Sequence, residues 1–204
     1  MKLVGRSSSL FTRVALIFAH EVDVKLELDV IRDMTSVDPA TFGGHPALKL
    51  PLLLRDDGSI VVGTENICRV LAESGTHKRI VWPEDVRDDL GRNAQEMIEH
   101  AMAAQVQWVM GTMVGKLDGA HPFFAKGRAG FEGALRWLDA HVDRVVAALP
   151  ERDASVFEIE LFCLVEHLVF RASLPVAPYP ALVAFANAWG QRASAGATAF
   201  RFDA

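Results

Sequence analysis

Apolar residues in the first part of the chain follow two different spacings. Residues 10–20 carry apolar side chains at the period of about 3.6 that is typical of an amphipathic helix, which places Arg13 and His20 on its surface. Residues 24–30 alternate between apolar and charged positions, which is the period of a half-buried strand. With the other apolar runs, the pattern predicts a strand at 2–4, a helix at 10–20, a strand at 24–30, an irregular loop at 33–49 with one helical turn, strands at 50–54 and 60–62, and a helix capped by Thr64.

The order of these elements predicts the fold of the first domain. Asp57 and Gly58 lie between two apolar runs, a combination that favours a tight hairpin. The predicted order is then strand, helix, strand, loop, strand, strand, helix. A β-α-β unit followed by a β-β-α unit describes a thioredoxin-like α/β domain, which we predict over residues 1–76.

Beyond a linker at residues 77–88 the pattern is helical, and nothing in it resembles a strand. Ser155 and Glu158 form a capping box, in which the serine accepts the N–H of the third helical residue and the glutamate reaches back to the serine N–H. The helix that follows is apolar nearly all round, so it belongs in the middle of a bundle. We therefore predict an all-helical domain over residues 89–204, with helices at 85–117, 127–149, 155–170 and 180–195.

Composition and charge narrow the possible functions. The 204 residues are 50% hydrophobic and 23% charged, as in globular proteins, and the net charge of −5 comes without the basic stripe that nucleic-acid binding requires. No window approaches the ~20 apolar residues of a membrane span, and the first residues lack the apolar core of a signal peptide. Cys68 and Cys163 stand alone among apolar neighbours, which suits a reducing compartment. We expect a soluble, cytoplasmic protein without a membrane or nucleic-acid partner.

Two classes of catalytic site are not indicated. The seven histidines show neither the H-x₃-H nor the H-E-x-x-H spacing, so no metal site is predicted. Ser7, Ser8 and Ser9 form a serine run after a strand, but the Gly-x-Ser-x-Gly elbow of a serine hydrolase is missing.

Pro51 stands at the entrance to a predicted strand, where its peptide bond could be either trans or cis. A trans bond would carry no special meaning. A cis bond would turn the Leu50 backbone toward the surface, where its N–H and C=O could pair with an extended peptide ligand. The residues themselves leave both possibilities open.

Two stretches of the sequence resemble the glutathione transferase family. The first is Gly5-Arg-Ser-Ser-Ser9-Leu-Phe11-Thr-Arg13, which is similar to the family's opening of a glycine, then Ser or Cys four residues later, then an aromatic and an arginine. The second runs from Lys49-Leu-Pro51 through Gly63-Thr64-Glu65 to Leu71 and matches the family's hairpin and following helix without a gap. The resemblance covers essentially the full chain and is closest to serine-type and bacterial members.

The resemblance implies a site that stabilises the thiolate of glutathione. Ser9 would donate its hydroxyl hydrogen to the sulfur and would act as an electrostatic stabiliser, not as a nucleophile. Phe11 would line the site. Two alternatives stay open: Ser9 could merely cap the helix, or Ser7 or Ser8 could face the sulfur. Thiol–disulfide exchange would require a cysteine in place of Ser9.

The resemblance also assigns contacts for the rest of the tripeptide. The Leu50-Pro51 backbone would bind the cysteinyl part, Thr64 would hold the γ-glutamyl carboxylate at a helix start, and Lys49 would pair with the glycyl carboxylate. Gly63 departs from the pattern, because the family commonly has an acidic residue there that holds the charged amino end of glutathione. Glu65 is acidic but stands two residues further on, displaced along the helix.

A pocket for the second substrate is expected between the two domains, along the long helix that starts near residue 85. Met97, His100 and Trp108, with Gln107, are the candidates there. The implied function is transfer of glutathione, as co-substrate and without a metal, to a small hydrophobic electrophile by a homodimer. The alternative is a non-catalytic binding or scaffold protein of the same fold, with weakened affinity for glutathione because of Gly63.

Overall fold

The computed structural model describes residues 1–203. Contacts within the chain divide it into two compact units. The first comprises residues 1–78 together with the segment from Arg192 onward, and the second comprises residues 79–191. Nothing in the sequence pattern indicated that the last segment groups with the first unit, and the domain limits at residues 76 and 89 stay a prediction.

The first unit is built on a four-stranded mixed sheet. Its elements are β1 Lys2–Gly5, α1 Leu10–Glu21, β2 Glu27–Val30, β3 Leu52–Leu54, β4 Ile60–Val62 and α2 Thr64–Ser74. The strands lie in the order β2-β1-β3-β4, with β1 and β2 parallel and the other two pairs antiparallel. This order of elements confirms the predicted thioredoxin-like domain, including its hairpin.

Both faces of the sheet are covered by apolar side chains. Leu3 and Leu53 are paired across β1 and β3, and both are fully buried on one face. Their neighbours Val4 and Leu52 point to the opposite face, because successive residues of a strand alternate. There they pack in a cluster with Phe42, which comes from a 3₁₀ turn in the predicted irregular loop. That turn is therefore part of the core.

The second unit is a helical bundle with one small sheet. Its elements are β5 Ile80–Val81, α3 Asp89–Trp108, a π-helical turn Val109–Val114, α4 Pro122–Ala148, β6 Ala154–Ser155, α5 Val156–Arg171 and α6 Pro180–Trp189. The predicted helical domain is confirmed in its main elements. Across residues 1–203, none of the helices combines the length and the apolar character needed to cross a bilayer.

The expectation that no strand follows residue 77 is wrong. Strands β5 and β6 pair in parallel, with Ile80 opposite Ala154. The N–H of Arg79 donates to the Asp153 carboxylate at 2.8 Å and fixes the start of this pairing. Strands of two residues are too short to show an alternating pattern, so periodicity could not reveal them.

Two predicted helix boundaries also need correction. Helix α4 begins at Pro122, before the predicted start at Gly127, because Pro122 occupies the first helical position and the His121 ring caps the helix by accepting the N–H of Phe123 at 3.1 Å. The helix predicted over 180–195 ends at Trp189, and a separate short helix, α7 Ala193–Ala197, follows in the first unit.

The cap predicted for α5 is present. The Ser155 hydroxyl accepts the N–H of Glu158 at 3.1 Å and donates to the Glu158 carboxylate at 2.7 Å. The same carboxylate accepts from the Arg152 guanidinium at 2.6 Å. Eleven residues of α5 are buried, as expected of the central helix of the bundle.

Arg13 is buried, which corrects its predicted place on the surface of α1. Its side chain is 2% exposed, and its Nη2 donates to the carbonyl of Ala195 at 3.1 Å. The guanidinium also lies 4.3 Å from the centre of the Phe200 ring. Both partners belong to the segment after Arg192. The helical period assigned Arg13 to solvent because it cannot show that a distant part of the chain covers that side of α1.

Glu21 ties the same segment to the end of α1. Its carboxylate accepts hydrogen bonds from Arg192 Nε at 2.9 Å and from the Ser194 hydroxyl at 2.5 Å. Burial raises the pKa of Glu21, but the hydrogen bonds from Arg192 and Ser194 and the charge of Arg192 together outweigh burial, so the pKa lies below its ordinary value.

We expect Glu21→Gln to destabilise the protein at neutral pH and to do so less in acid. A lowered folded-state pKa means that the carboxylate's contribution is complete above the ordinary glutamate pKa of about 4.3 and is lost as the pH falls through the folded value. Denaturant unfolding between roughly pH 3 and pH 7 measures the difference between wild type and variant, which should narrow below about pH 4.3. Glu73→Gln, at an exposed position of α2, is the matched control and should stay close to wild type. A Glu21→Gln effect that is independent of pH would contradict the expectation.

Candidate functional site

The start of α1 is held close to β1. A Cβ atom at Gly5 would lie 2.6 Å from the Thr12 hydroxyl, so only glycine lets the strand pass the first turn of the helix at this distance. The chain then turns through Arg6 to Ser9, where the N–H of Ser9 donates to the carbonyl of Arg6 at 3.1 Å. This turn, residues 6–9, brings Ser9 to the N-cap of α1.

The three serines of this turn differ in exposure. Ser7 and Ser8 are 6% and 2% exposed, whereas Ser9 is partly exposed. The Ser9 hydroxyl accepts the N–H of Thr12 at 3.3 Å, which is the capping role considered in the sequence analysis. A hydroxyl has two lone pairs and one proton, so accepting this bond leaves the Ser9 O–H free to donate. Capping the helix and binding an anion at the helix start are therefore compatible.

The bond between Leu50 and Pro51 is cis, which resolves the alternative left open by the sequence. Leu50 is half-buried and lies just before β3, and the neighbouring Lys49 is exposed. Among residues 1–203, no group hydrogen-bonds the main-chain N–H or C=O of Leu50. Both groups are therefore available to an extended ligand.

Gly63, not Thr64, is the N-cap of α2, which corrects the predicted cap. The N–H of Ile67 donates to the carbonyl of Gly63 at 3.0 Å, and Thr64 is the first helical residue. No side chain caps this helix. The first N–H groups of α2 consequently lack the side-chain partner that Ser9 supplies in α1.

The backbone explains why a glycine stands at position 63. Gly63 has φ of 90° and ψ of 127°, a conformation that residues with a side chain rarely adopt. A Cβ atom there would also approach the Asn66 side chain to 3.3 Å. The residue that departs from the family pattern is thus the residue best suited to this backbone.

Glu65 does not replace the acid that is missing at Gly63. Its carboxylate accepts from Arg69 Nε at 2.9 Å and from Arg69 Nη2 at 2.5 Å, one helical turn further along α2. This ion pair engages the Glu65 charge within the helix itself. A positively charged ligand group would have to compete with Arg69 for it.

The second unit has an aromatic cleft, which occupies ≈ 300 Å³ when the space open to solvent is included. The Trp108 and Phe124 rings meet edge to face with centres 5.6 Å apart, and the Arg128 guanidinium lies 5.7 Å from the Trp108 ring. Arg128 Nε also donates to Glu132 at 3.1 Å. The remaining residues of the cleft are Ala104, Gln107, Gly127, Phe131 and Leu174.

The cleft includes two of the four predicted electrophile-pocket residues, Trp108 and Gln107. Met97 is half-buried elsewhere on α3, and His100 is exposed with its Nε2 3.9 Å from the Glu96 carboxylate. Sequence analysis missed Phe124 and Arg128. Their signal was their spacing of four residues, which puts two residues on one side of a helix, but the predicted helix began only at Gly127.

The cysteines and the other acidic and histidine side chains form no further site. Cys68 and Cys163 are both free thiols and buried. Within the described part of the chain, no group of three or more His, Cys, Asp and Glu side chains is arranged to hold a metal ion. The turn at residues 6–9 and the start of α2 are therefore the main polar features of the first unit that could bind a ligand.

Solved structures share this fold along nearly the whole chain. A glutathione S-transferase from Methylobacillus flagellatus, solved with GSH bound, aligns with a TM-score of 0.75 at 22% sequence identity and covers 97% of this chain and 98% of its own. A glutathione transferase family member from Pseudomonas fluorescens with bound glutathione gives 0.75 at 20% identity over 97% of both chains. Gtt2 from Saccharomyces cerevisiae gives 0.73 at 14% identity, covering 97% of this chain and 100% of its own.

The comparisons confirm the predicted resemblance at the level of the fold. No protein-family model matches this sequence, and no curated protein sequence matches it significantly. The three-dimensional likeness thus persists where overall sequence similarity is low.

We expect Gly63→Ala to lower the free energy of unfolding by about 1–3 kcal/mol, since a side chain is strained at this positive φ. Gly130→Ala is the matched control. Gly130 lies in α4 with open space around its Cα, so alanine should stabilise the helix by up to about 1 kcal/mol. Denaturant unfolding of both variants measures the two changes. Equal stability of Gly63→Ala and wild type would contradict the backbone conformation described for the start of α2.

Proposed function

We propose that this protein binds glutathione and transfers it to a small hydrophobic electrophile, with Ser9 stabilising the thiolate. The proposal rests chiefly on one observation: Ser9 is a partly exposed serine at the N-cap of α1, with an O–H that is free to donate. It stands in a fold shared with transferases that were solved with glutathione bound.

The chemical task of Ser9 is to favour the ionised thiol. A free thiol has a pKa of roughly 8.5, so only a few per cent is ionised near neutral pH. A hydrogen bond from Ser9 and the positive end of α1 both favour the anion. The sulfur then attacks the electrophilic carbon, the leaving group departs with its electron pair, and the thiol proton passes to solvent.

The rest of glutathione would bind along the same unit. The free N–H and C=O of Leu50 suit main-chain pairing with the cysteinyl part. The start of α2, at Thr64, offers N–H groups without a side-chain cap to the γ-glutamyl carboxylate. Lys49 is exposed and would pair with the glycyl carboxylate, and Phe11, which is half-buried, would line the site.

The electrophile pocket, the homodimer and the cytoplasmic location stay predictions. Trp108 lies in a cleft whose aromatic walls suit an apolar ring. His100 is largely exposed beside Glu96, which favours a solvated role over a catalytic one. We keep Met97 as a candidate on the basis of the helix it shares with Trp108.

A second candidate function is a binding or scaffold protein that does not catalyse transfer. Gly63 carries no side chain for the ammonium group of glutathione, and Glu65 is engaged by Arg69. Weak glutathione binding would follow from both observations. The retained Ser9, Leu50 and Pro51 favour the first candidate.

Retention on immobilised glutathione, followed by a conjugation assay with an aromatic halide, separates these candidates. The proposed transferase should be retained and should form the conjugate faster than the uncatalysed reaction. Retention without conjugation would favour the binding protein. A protein that is neither retained nor active would exclude both uses of glutathione.

Ser9 variants separate the capping role from the thiolate role. Ser9→Gly keeps most of the cap's stability, whereas Ser9→Ala costs about 1 kcal/mol. Both variants lose the hydroxyl, so both should lower the thiolate fraction of bound glutathione by about 10- to 100-fold at neutral pH, the effect of one hydrogen bond to a charge. The ultraviolet absorbance of the thiolate, titrated against pH, measures this fraction.

The control for the Ser9 variants is Ser74→Ala, which removes a hydroxyl that donates to the carbonyl of Val70 near the end of α2. It should leave the thiol titration as in wild type. If the titration follows stability, with Ser9→Ala changed and Ser9→Gly unchanged, Ser9 is a helix cap only.

A further inference from the structure

The segment that follows Arg192 lies along α1 and contacts it at three levels. At the end of α1, Arg192 and Ser194 bind the Glu21 carboxylate. In the middle, Arg13 donates to Ala195 and lies over Phe200. The third level is the turn at residues 6–9, which carries Ser9. Neither the proposed chemistry nor the comparisons assign this segment a role.

The contacts of the third level are made to the main chain of Ser7. The N–H of Ser7 donates to Asp203 Oδ2 at 2.9 Å, and the N–H of Arg201 donates to the carbonyl of Ser7 at 3.4 Å. Arg6 Nε lies 3.9 Å from the same Asp203 oxygen. Residues 201–203 therefore hold both main-chain groups of Ser7 and face the side chain before it.

We propose that Asp203 is a positioning residue of the thiolate site, because its carboxylate holds the turn at residues 6–9 and thereby sets the direction of the Ser9 hydroxyl. This inference rests on the proposed role of Ser9. Asp203 acts through the turn and touches no substrate in this scheme.

The strength of the contact supports a positioning role. The Asp203 side chain is only 10% exposed, and a hydrogen bond between a carboxylate and an N–H is stronger than one between neutral groups. The turn is short, and its closing bond runs from Ser9 N–H to the Arg6 carbonyl. Fixing Arg6 and Ser7 therefore leaves little freedom for Ser9, whose own hydroxyl is anchored to Thr12.

Three variants separate position, charge and stability. Asp203→Ala removes the acceptor and the charge, and Asp203→Asn keeps an acceptor oxygen and removes the charge. Glu21→Ala is the matched control, because it loosens the same segment at the far end of α1. Each is compared with wild type by thermal unfolding, by the pH titration of bound glutathione and by hydrogen exchange of a peptide that covers residues 6–12.

With glutathione and an aromatic halide, Asp203→Ala should lower kcat by about tenfold while KM for glutathione changes less than about twofold, since a misplaced group weakens the transition state more than binding. The bound thiol should ionise at higher pH, and residues 6–12 should exchange faster. Asp203→Asn should rescue kcat, titration and exchange. Glu21→Ala should lower the midpoint of thermal unfolding and leave the titration unchanged.

Two results would overturn the proposal. Removing only a negative charge would make the thiol ionise at lower pH in both Asp203 variants, and a merely structural role would make Asp203→Ala resemble Glu21→Ala. Exchange at residues 6–12 requires no glutathione. An exchange rate unaffected by Asp203→Ala therefore refutes the positioning role even if the wild-type protein fails to bind glutathione, a failure that would refute the proposed function separately.

Discussion

The hydrogen bond from the N–H of Thr12 to the hydroxyl of Ser9 connects the local structure of the chain to its chemistry. The first N–H groups of a helix have no partner within the helix, so something must satisfy them at its start. Ser9 satisfies one of them with a lone pair and keeps its proton. Gly5 makes this arrangement possible, since any side chain there would collide with Thr12. The candidate site thus depends on a close approach between the first strand and the first turn of α1.

Local signals in the sequence were sufficient for most of the first unit. The alternation at residues 24–30 and the Asp57-Gly58 turn each involve neighbours in the chain, and their strands and hairpin are present. The motif around Pro51 anticipated the cis bond as one of two possibilities. Ser155 likewise predicted the start of the central helix, because a cap and the helix that it opens are only three residues apart. Each success depended on short-range geometry.

The errors have one physical cause, which is that long-range contacts leave no periodic trace. Arg13 has the spacing of a surface residue, yet the segment after Arg192 covers it. Strands β5 and β6 exist only as a pair formed by residues far apart in the chain. The two-residue strands have no pattern of their own, and α7 is one turn of helix that packs on α1. Asp203 was missed for the same reason, because its partner is Ser7.

The two helix starts in the first unit are built differently, and the difference bears on what each can bind. Helix α1 has a side-chain cap whose proton is available, which suits a small anion such as a thiolate. Helix α2 has Gly63 at its cap and no side-chain partner for its first N–H groups, which suits an acceptor with two oxygens such as a carboxylate. The positive φ that selects glycine at position 63 also removes the acid expected there. A ligand held by these two helix starts would therefore be recognised mainly by its anionic groups, and its ammonium group would contribute less than in relatives that keep the acid.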